Sequence, residues 1–331
     1  MAKTKLISKK LFNQILDEKS LIDCMKETLV SISEGKTAML QRMMLPAEEG
    51  NLFALMTAKN DSSHIIGSKV IVFPGPVAGK NDTARGLVPV YDSVTGAILA
   101  IVDGEGITVR RTAATSAAAT DALAKKDAPN LAILGCGRQG KAHAVSISKV
   151  RDLKTVTLWD KFPEAAKAAA EYLQKMIPGV TCVCCDDVKS AVENADIICT
   201  CVGKCDAPFL EGEWVKPGCH INAVGACSGD CREMDTATVV KSKIYLDYTP
   251  AALRDGGDVV IPLKNGELDE SAILGEIGNV LNGTLKGRES DEEITLFETV
   301  GLAVEDLECA NLVYRLAEKF GFGTDFDFDL D

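Results

Sequence analysis

A chain of 331 residues has the length of about two domains, and 46% hydrophobic with 25% charged residues is the composition of an ordinary globular protein with ample material for a core. A formal net charge of −12 argues against nucleic acid or an anionic membrane as partner, because both are gripped through basic patches. No apolar run approaches the roughly 18 residues of a membrane span, and no apolar export segment follows Met1-Ala2-Lys3-Thr4-Lys5, so a reducing cytoplasm is expected.

Helical spacing of Leu11 and Ile15, then of Leu21, Ile22, Met25, Leu29 and Ile32, predicts two opening helices with Gly35 as a stop. Short apolar stretches at 52–56 and 68–73, punctuated by Pro74-Gly75-Pro76, read as strands. Residues 87–92 and 97–102 read as a hairpin around Thr95-Gly96. The first hundred residues therefore predict helices and a mostly antiparallel sheet. Residues 112–126 are alanine-rich and favour helix. Strand and helix then alternate, with strands at 131–134, 155–160, 181–185, 195–201, 220–224 and 243–247 and helices through 150 and around 164–176. This pattern implies a Rossmann-type, doubly wound parallel sheet, an α/β fold. Helices near 272–282 and 304–320 close the chain, and the acidic residues 324–331 are expected to fray. Among the twelve cysteines, Cys136, Cys199 and Cys201 sit in or beside apolar runs as small core residues do, whereas Cys182-Val183-Cys184-Cys185 lacks repeated zinc spacing and only three histidines exist. Free thiols and no metal are expected.

The segment Gly135-Cys136-Gly137-Arg138-Gln139-Gly140 stands between a predicted strand and a predicted helix, the context that gives a Gly-Xaa-Gly-Xaa-Xaa-Gly pattern its meaning. Gly135 suits the tight turn, Gly137 the close approach of a pyrophosphate, and Gly140 the packing of helix on strand; the phosphates would rest on the helix N-terminus. The next strand ends at Asp160, whose carboxylate can accept from ribose hydroxyls and would repel a 2′-phosphate. NAD(H) is therefore favoured, and the adjoining Lys161 keeps NADP(H) possible. A turn-capping role is the alternative for Asp160.

Three cations stand out in the flanking segments: Arg42 before Met43-Met44-Leu45-Pro46, Lys69 inside an apolar strand, and Arg111 in Arg110-Arg111-Thr112-Ala113-Ala114-Thr115-Ser116. Such cations need anionic partners if buried. Internal salt bridges would satisfy each singly; three converging at one place would make a clamp for a substrate carboxylate.

With these segments, Gly67-Ser68-Lys69-Val70, the stretch 95–100, Ile107-Thr108-Val109, His220 to Ala226, Arg232-Glu233-Met234-Asp235 and Ile294 through Asp306, the chain resembles the ornithine cyclodeaminase/mu-crystallin family over nearly its whole length. The resemblance implies a homodimer of two-domain chains: an α+β substrate-binding and dimerisation domain of residues 1–115 with 304–331, and an NAD-binding Rossmann domain of residues 116–303. Arg42, Lys69 and Arg111 match the residues that bind the substrate carboxylate, and residues near Met56, 77–84 and Val300 would wall the pocket. Thr112, Gly135, Gly137, Arg138, Gln139, Gly140, Asp160, Val202, Ala223, Val224, Gly225 and Thr299 are the expected cofactor contacts. Family members act on amino acids or cyclic imines. Cyclodeaminases carry an acid/base aspartate at the position of Cys227, and a cysteine cannot replace it without a lowered pKa. Asp230, three residues on, could reach the site or cap the following helix. An NAD(H)-dependent imino-acid (ketimine) reductase or amino-acid dehydrogenase is therefore expected, with Lys69 and Asp230 as its catalytic groups. Ornithine cyclodeaminase, or a mu-crystallin-like small-molecule-binding protein, would be the alternative.

Overall fold

The structure, a computed structural model, describes residues 3–75, 84–203 and 205–328. The chain divides into two compact units, Met1–Arg111 with Leu302–Asp331 and Thr112–Gly301.

The first unit opens with β1 (Thr4–Ile7), α1 (Lys9–Ile15) and α2 (Glu18–Ser33). Each helix begins where a short polar side chain accepts an otherwise orphaned N–H: Ser8 from Leu11 N at 3.4 Å and Asp17 from Ser20 N at 2.9 Å. Then come β2 (Thr37–Met39), β3 (Met43–Pro46), β4 (Leu52–Asn60), β5 (Ile65–Phe73), β6 (Arg85–Asp92) and β7 (Ile98–Asp103). β2 and β3 pair with β4, and β4 to β7 run antiparallel in order, with the hairpin between β6 and β7 where the turn residues put it. β1 joins β7 in parallel. Period-two alternation sends Ala54, Met56, Ile71, Val88, Val90, Ala100 and Val102 into the core. The opposite face stays apolar: Met43 is 58%, Leu45 64% and Leu87 54% exposed. α3 (Gly104–Leu123) starts eight residues before the alanine-rich stretch, because Asp103 caps it by accepting from Gly106 N at 3.0 Å. Its residues up to Arg111 belong to the first unit.

The second unit continues with β8 (Asn130–Leu134), α4 (Arg138–Ile147), β9 (Thr155–Trp159), α5 (Pro163–Met176), β10 (Thr181–Cys184), α6 (Val188–Val192), β11 (Ile197–Thr200), β12 (His220–Ala223), α7 (Thr236–Val240) and β13 (Ser242–Leu246). It ends with α8 (Thr249–Asp255), α9 (Gly257–Lys264), β14 (Ile273–Glu276), α10 (Ile277–Leu281) and β15 (Ile294–Glu298). The sheet has the order β10-β9-β8-β11-β12-β15-β13-β14, and every pair is parallel. Strand order reverses between β8 and β11, the switch point at which doubly wound sheets bind their ligands. Two expectations need correcting here. Residues 272–282 are not one helix: an edge strand, β14, pairs with β13 before a single short helix begins. Ile294–Glu298, not expected as a strand, lies between β12 and β13 with all five residues buried.

α11 (Ala303–Phe320) returns the chain to the first unit, where it packs on α2 and on β4 to β7, and Gly321 ends it with φ 70°. Residues 324–326 do not fray as expected, and residues 329–331 lie outside the described residues. β16 (Thr324–Phe326) adds antiparallel to β1, and Lys5 Nζ meets Asp325 Oδ1 at 2.5 Å, so part of the acidity that suggested disorder is paired. All twelve thiols are free. No helix among the described residues is long and apolar enough to cross a membrane.

Candidate functional site

In the first unit, β5 carries Lys69 and α3 carries Arg111, and both side chains are nearly inaccessible, at 2% and 3%. α11 supplies their counter-charges from its first turn. Asp306 lies between them: its Oδ2 is 2.7 Å from Lys69 Nζ, and its Oδ1 accepts from Arg111 Nε at 2.8 Å. Arg111 Nη1 donates to Glu305 Oε2 at 2.7 Å, and that same carboxylate accepts from Leu302 N at 3.0 Å, which fixes the start of α11. Lys69 Nζ also donates to Thr108 Oγ1 at 3.3 Å. Within the chain, then, Lys69 and Arg111 form internal ion pairs, and they are brought together on one carboxylate.

Burial pulls Lys69 down to about 8, against Asp306, and the neighbouring Arg111 and Arg42 add to the fall. Arg42 is thus close enough to be felt at Lys69. Burial works against the charge of Arg111, but Asp306 and Glu305 outweigh it and hold the guanidinium above its ordinary value. Burial also opposes ionisation of Asp306, and Arg111 and Lys69 overcome it, so its carboxyl stays below the usual range. The cluster is a positive field around a movable proton on Lys69, braced by two fixed carboxylates. Met56 and Ala84, expected to line a pocket wall, are buried in this unit, and residues 77–83 lie outside the described residues.

In the second unit the glycine loop joins β8 to α4. Gly135 has φ +95°, and a Cβ there would lie 2.6 Å from Cys201 C. A Cβ on Gly140 would lie 2.1 Å from Gly135 O, so helix and loop approach as closely as the pattern implies. A Cβ on Gly137 would meet nothing within 4 Å. Gly137 is the N-cap of α4 with no side-chain cap bond, and Gln139 Oε1 is buried without a hydrogen-bond partner. Open space before helix N–H groups that no side chain caps is the cradle a pyrophosphate needs. Asp160 closes this cradle: Oδ2 accepts from Cys136 N at 2.7 Å and Oδ1 from Phe162 N at 2.9 Å. It therefore caps its turn and also stands against the loop, with lone pairs left for hydroxyl donors. The loop residues and Asp160 fit a dinucleotide.

The remaining expected contacts gather at the carboxyl ends of β11, β12 and β15. Thr299 N donates to Ala223 O at 3.1 Å, and Val224 N donates to Thr200 O at 3.2 Å. Val202 N and Gly225 N both donate to Glu233. Val300 belongs to this unit: its N–H donates to Asp247 Oδ2 at 2.8 Å, and Thr299 Oγ1 donates to the same atom at 3.0 Å. Thr112, the unit's first residue, is buried in α3. Asp230 lies exposed on the loop after β12 and accepts from Ser228 Oγ. It does not cap the next helix; Asp235 does, accepting from Thr238 N at 2.8 Å. Cys227, on the same loop, is exposed. Burial holds His143 and His220 down, to about 4 and about 3, so both are neutral core residues.

Sequence reasoning missed the carboxylates. Glu305 and Asp306 sit in a helix, where acids ordinarily face water; Asp247 is the last residue of a predicted strand, and Glu233 and Asp258 lie outside the predicted elements. The one available clue was the charge demand of Lys69 and Arg111, which required acids somewhere in the same unit.

The profile of the ornithine cyclodeaminase/mu-crystallin family matches residues 6–320. The chain belongs to this family. A Δ1-pyrroline-2-carboxylate reductase of Bacillus cereus is 35% identical over 303 residues, 91% of this chain and 92% of that protein. Among solved structures, a Thermococcus litoralis Δ1-pyrroline-2-carboxylate reductase in complex with NADH and L-proline superposes with a TM-score of 0.91 at 32% identity, covering 98% of this chain and all of that one. An archaeal alanine dehydrogenase dimer with bound NAD gives a TM-score of 0.90 at 27% identity, over 98% and 99% of the two chains. The family member described here shares with these two structures, solved with NADH and with NAD bound, a mixed fold with a parallel, Rossmann-type sheet.

Proposed function

We propose that this protein is an NAD(H)-dependent imine reductase that converts a small cyclic imino acid into the amino acid, with Δ1-pyrroline-2-carboxylate and L-proline as the leading pair. The observation that carries the reading is Lys69, a buried lysine held near 8 beside two arginines in the first unit of a chain whose second unit has a dinucleotide loop. The named activity and the ligands of the two pyrroline-2-carboxylate reductases support it. On this reading the second unit holds the cofactor and the first holds the substrate.

NADH, when bound, supplies the hydride for the imine carbon. The chain's residues do the rest. Gly135, Gly137 and Gly140 admit the pyrophosphate, and Asp160 accepts from the adenosine ribose. Arg42, Lys69 and Arg111 grip the substrate carboxylate, while Asp306 and Glu305 keep Lys69 and Arg111 from moving. A carboxylate arriving among these cations adds the anion that their field favours. Lys69 Nζ, mostly protonated at neutral pH, gives its proton to the imine nitrogen, so C=N becomes CH–NH and the reduction balances. Asp230 is the candidate to return a proton from solvent.

Purified protein is expected to oxidise NADH, and NADPH more slowly, when given Δ1-pyrroline-2-carboxylate, read as loss of NADH absorbance with L-proline appearing. Proline and ammonia formed from ornithine, with no oxidation of NADH by imines, would make the protein a cyclodeaminase. Binding of cofactor and imine with no turnover of either would leave a binding protein.

The protein also acts as a homodimer in this reading. The apolar outer face of β3 to β6, with Met43, Leu45 and Leu87 exposed, supports it, as does the dimer named for the archaeal neighbour. Light scattering should return twice the chain mass, and Leu45→Glu with Leu87→Glu should halve it. A wild-type protein of single-chain mass at micromolar concentration excludes the dimer.

A further inference from the structure

Glu233 belongs neither to the cation cluster nor to the phosphate loop, yet two strand ends are tied to its carboxylate. The side chain is fully buried. Oε1 accepts from Val202 N at 2.7 Å and from Gly203 N at 2.8 Å, just past the end of β11. Oε2 accepts from Gly225 N at 3.0 Å, just past the end of β12, the neighbouring strand. A Cβ on Gly225 would lie 2.1 Å from Oε1, so the carboxylate occupies space that only glycine leaves.

The other end of the residue is held as firmly. Glu233 N and Met234 N donate to Asp258 Oδ1 at 2.7 and 2.9 Å. Glu233 O accepts from Phe209 N and Leu210 N at 3.0 and 3.1 Å. Among the described residues no lysine or arginine is paired with this carboxylate; its partners are the Thr200 side chain and the backbone N–H groups of Val202, Gly203 and Gly225. A buried carboxylate is strongly unfavourable unless charge-assisted hydrogen bonds offset the lost hydration. An apolar side chain would fill the same volume but leave the N–H groups of Val202, Gly203 and Gly225 without this acceptor, so the glutamate is there to hold backbone rather than to fill space.

Topology says what lies at these strand ends. Asp160 ends β9 on one side of β8, and the glycine loop ends β8 itself, which places the adenosine and pyrophosphate there. β11 and β12 lie on the other side of β8. The rest of the dinucleotide must run toward their carboxyl ends.

We propose that Glu233 is a positioning residue for the cofactor: its carboxylate ties the ends of β11 and β12 together and sets the backbone course of residues 201–203 and 223–225, against which the nicotinamide half of the dinucleotide lies. The inference rests on the NADH reading above. Burial pushes the Glu233 carboxyl above its ordinary value, opposed by the Thr200 side chain and by the N–H groups of Gly203, Val202 and Gly225.

Glu233→Gln tests it. Glutamine keeps the length and one carbonyl acceptor but turns an NH2 group toward an N–H donor, so one tie becomes a repulsion. The variant should keep the wild-type melting temperature within a few degrees. Its NADH dissociation constant and KM for NADH should rise about tenfold or more, the loss of one charged hydrogen bond, while KM for the imino acid stays put. NADH affinity within about twofold of wild type in the folded variant overturns the proposal. If the variant does not fold, hydrogen exchange on the wild type decides instead. The amides of Val202, Gly203 and Gly225 should exchange more slowly when NADH is added, and unchanged exchange overturns the proposal. A wild-type protein that binds no NADH fails the functional reading first, and so separates the two failures.

Discussion

Arg111→Met is expected to lower the stability of the protein by about 3–5 kcal/mol, the penalty for removing one partner of a buried ion pair. Methionine fills much of the arginine's volume, so the loss is electrostatic. Arg111 binds two carboxylates at once, Asp306 at 2.8 Å and Glu305 at 2.7 Å, and both are fully buried. Without it, Asp306 keeps only Lys69, and Glu305 loses the cation that offsets its own burial. Glu305 would then be a buried charge without its cation, and the first turn of α11 would loosen. Urea unfolding followed by fluorescence measures the change. A shift below about 1 kcal/mol would mean that the pairs are screened by water and that the cluster is not the buried one described. Glu305→Gln added to Arg111→Met should recover part of the loss, since it removes one of the stranded charges. Neither variant should reduce an imino acid at a measurable rate.

Asp258→Asn is expected to stabilise the protein at high pH and to leave it unchanged at low pH. Burial, and then the Glu233 carboxylate, push the Asp258 carboxyl up to about 8 from its ordinary 3.8, with Arg232 and the N–H groups of Glu233 and Met234 pulling the other way. Oδ2 is buried without a partner. The folded chain therefore keeps a proton there that the unfolded chain releases. With the folded value above the unfolded one, stability is full below about pH 4, falls as pH rises, and levels off above about pH 8. Glu298 adds to the same trend, raised by its burial and then by Asp258, Asp247 and Glu233. Asparagine keeps the acceptor for the N–H groups of Glu233 and Met234, puts an NH2 where the proton was, and cannot ionise. Melting curves of the two proteins should coincide near pH 4 and separate by several degrees near pH 8.5. Superimposable profiles would show that Asp258 is not the group responsible.

What could be read from the residues alone follows from how local each feature is. The glycine loop is written in six consecutive residues whose conformations are their own cause, and Asp160 follows at the end of the next strand. Lys69 and Arg111 were visible because charge inside apolar text demands an explanation. Their partners were not: Glu305 and Asp306 sit in a helical pattern that gives no sign of which face is covered. β15 was invisible as a strand for a related reason. Buried on both faces, it has no alternation, and Thr295 and Glu298 break its apolar run. β14 followed at once by α10 reads as one helix because periodicity cannot separate segments so short.

The acids that anchor Lys69 and Arg111 come from α11, which follows the whole of the second unit in the chain. On the ribosome, therefore, the sheet of the second unit emerges complete while the first unit still lacks the helix that covers its core. Until the nascent chain extends past Asp306, Lys69 and Arg111 have no counter-charge and stay hydrated. The protein can thus acquire its dinucleotide fold early in synthesis, and the buried cluster of paired charges is completed last, with the final helix.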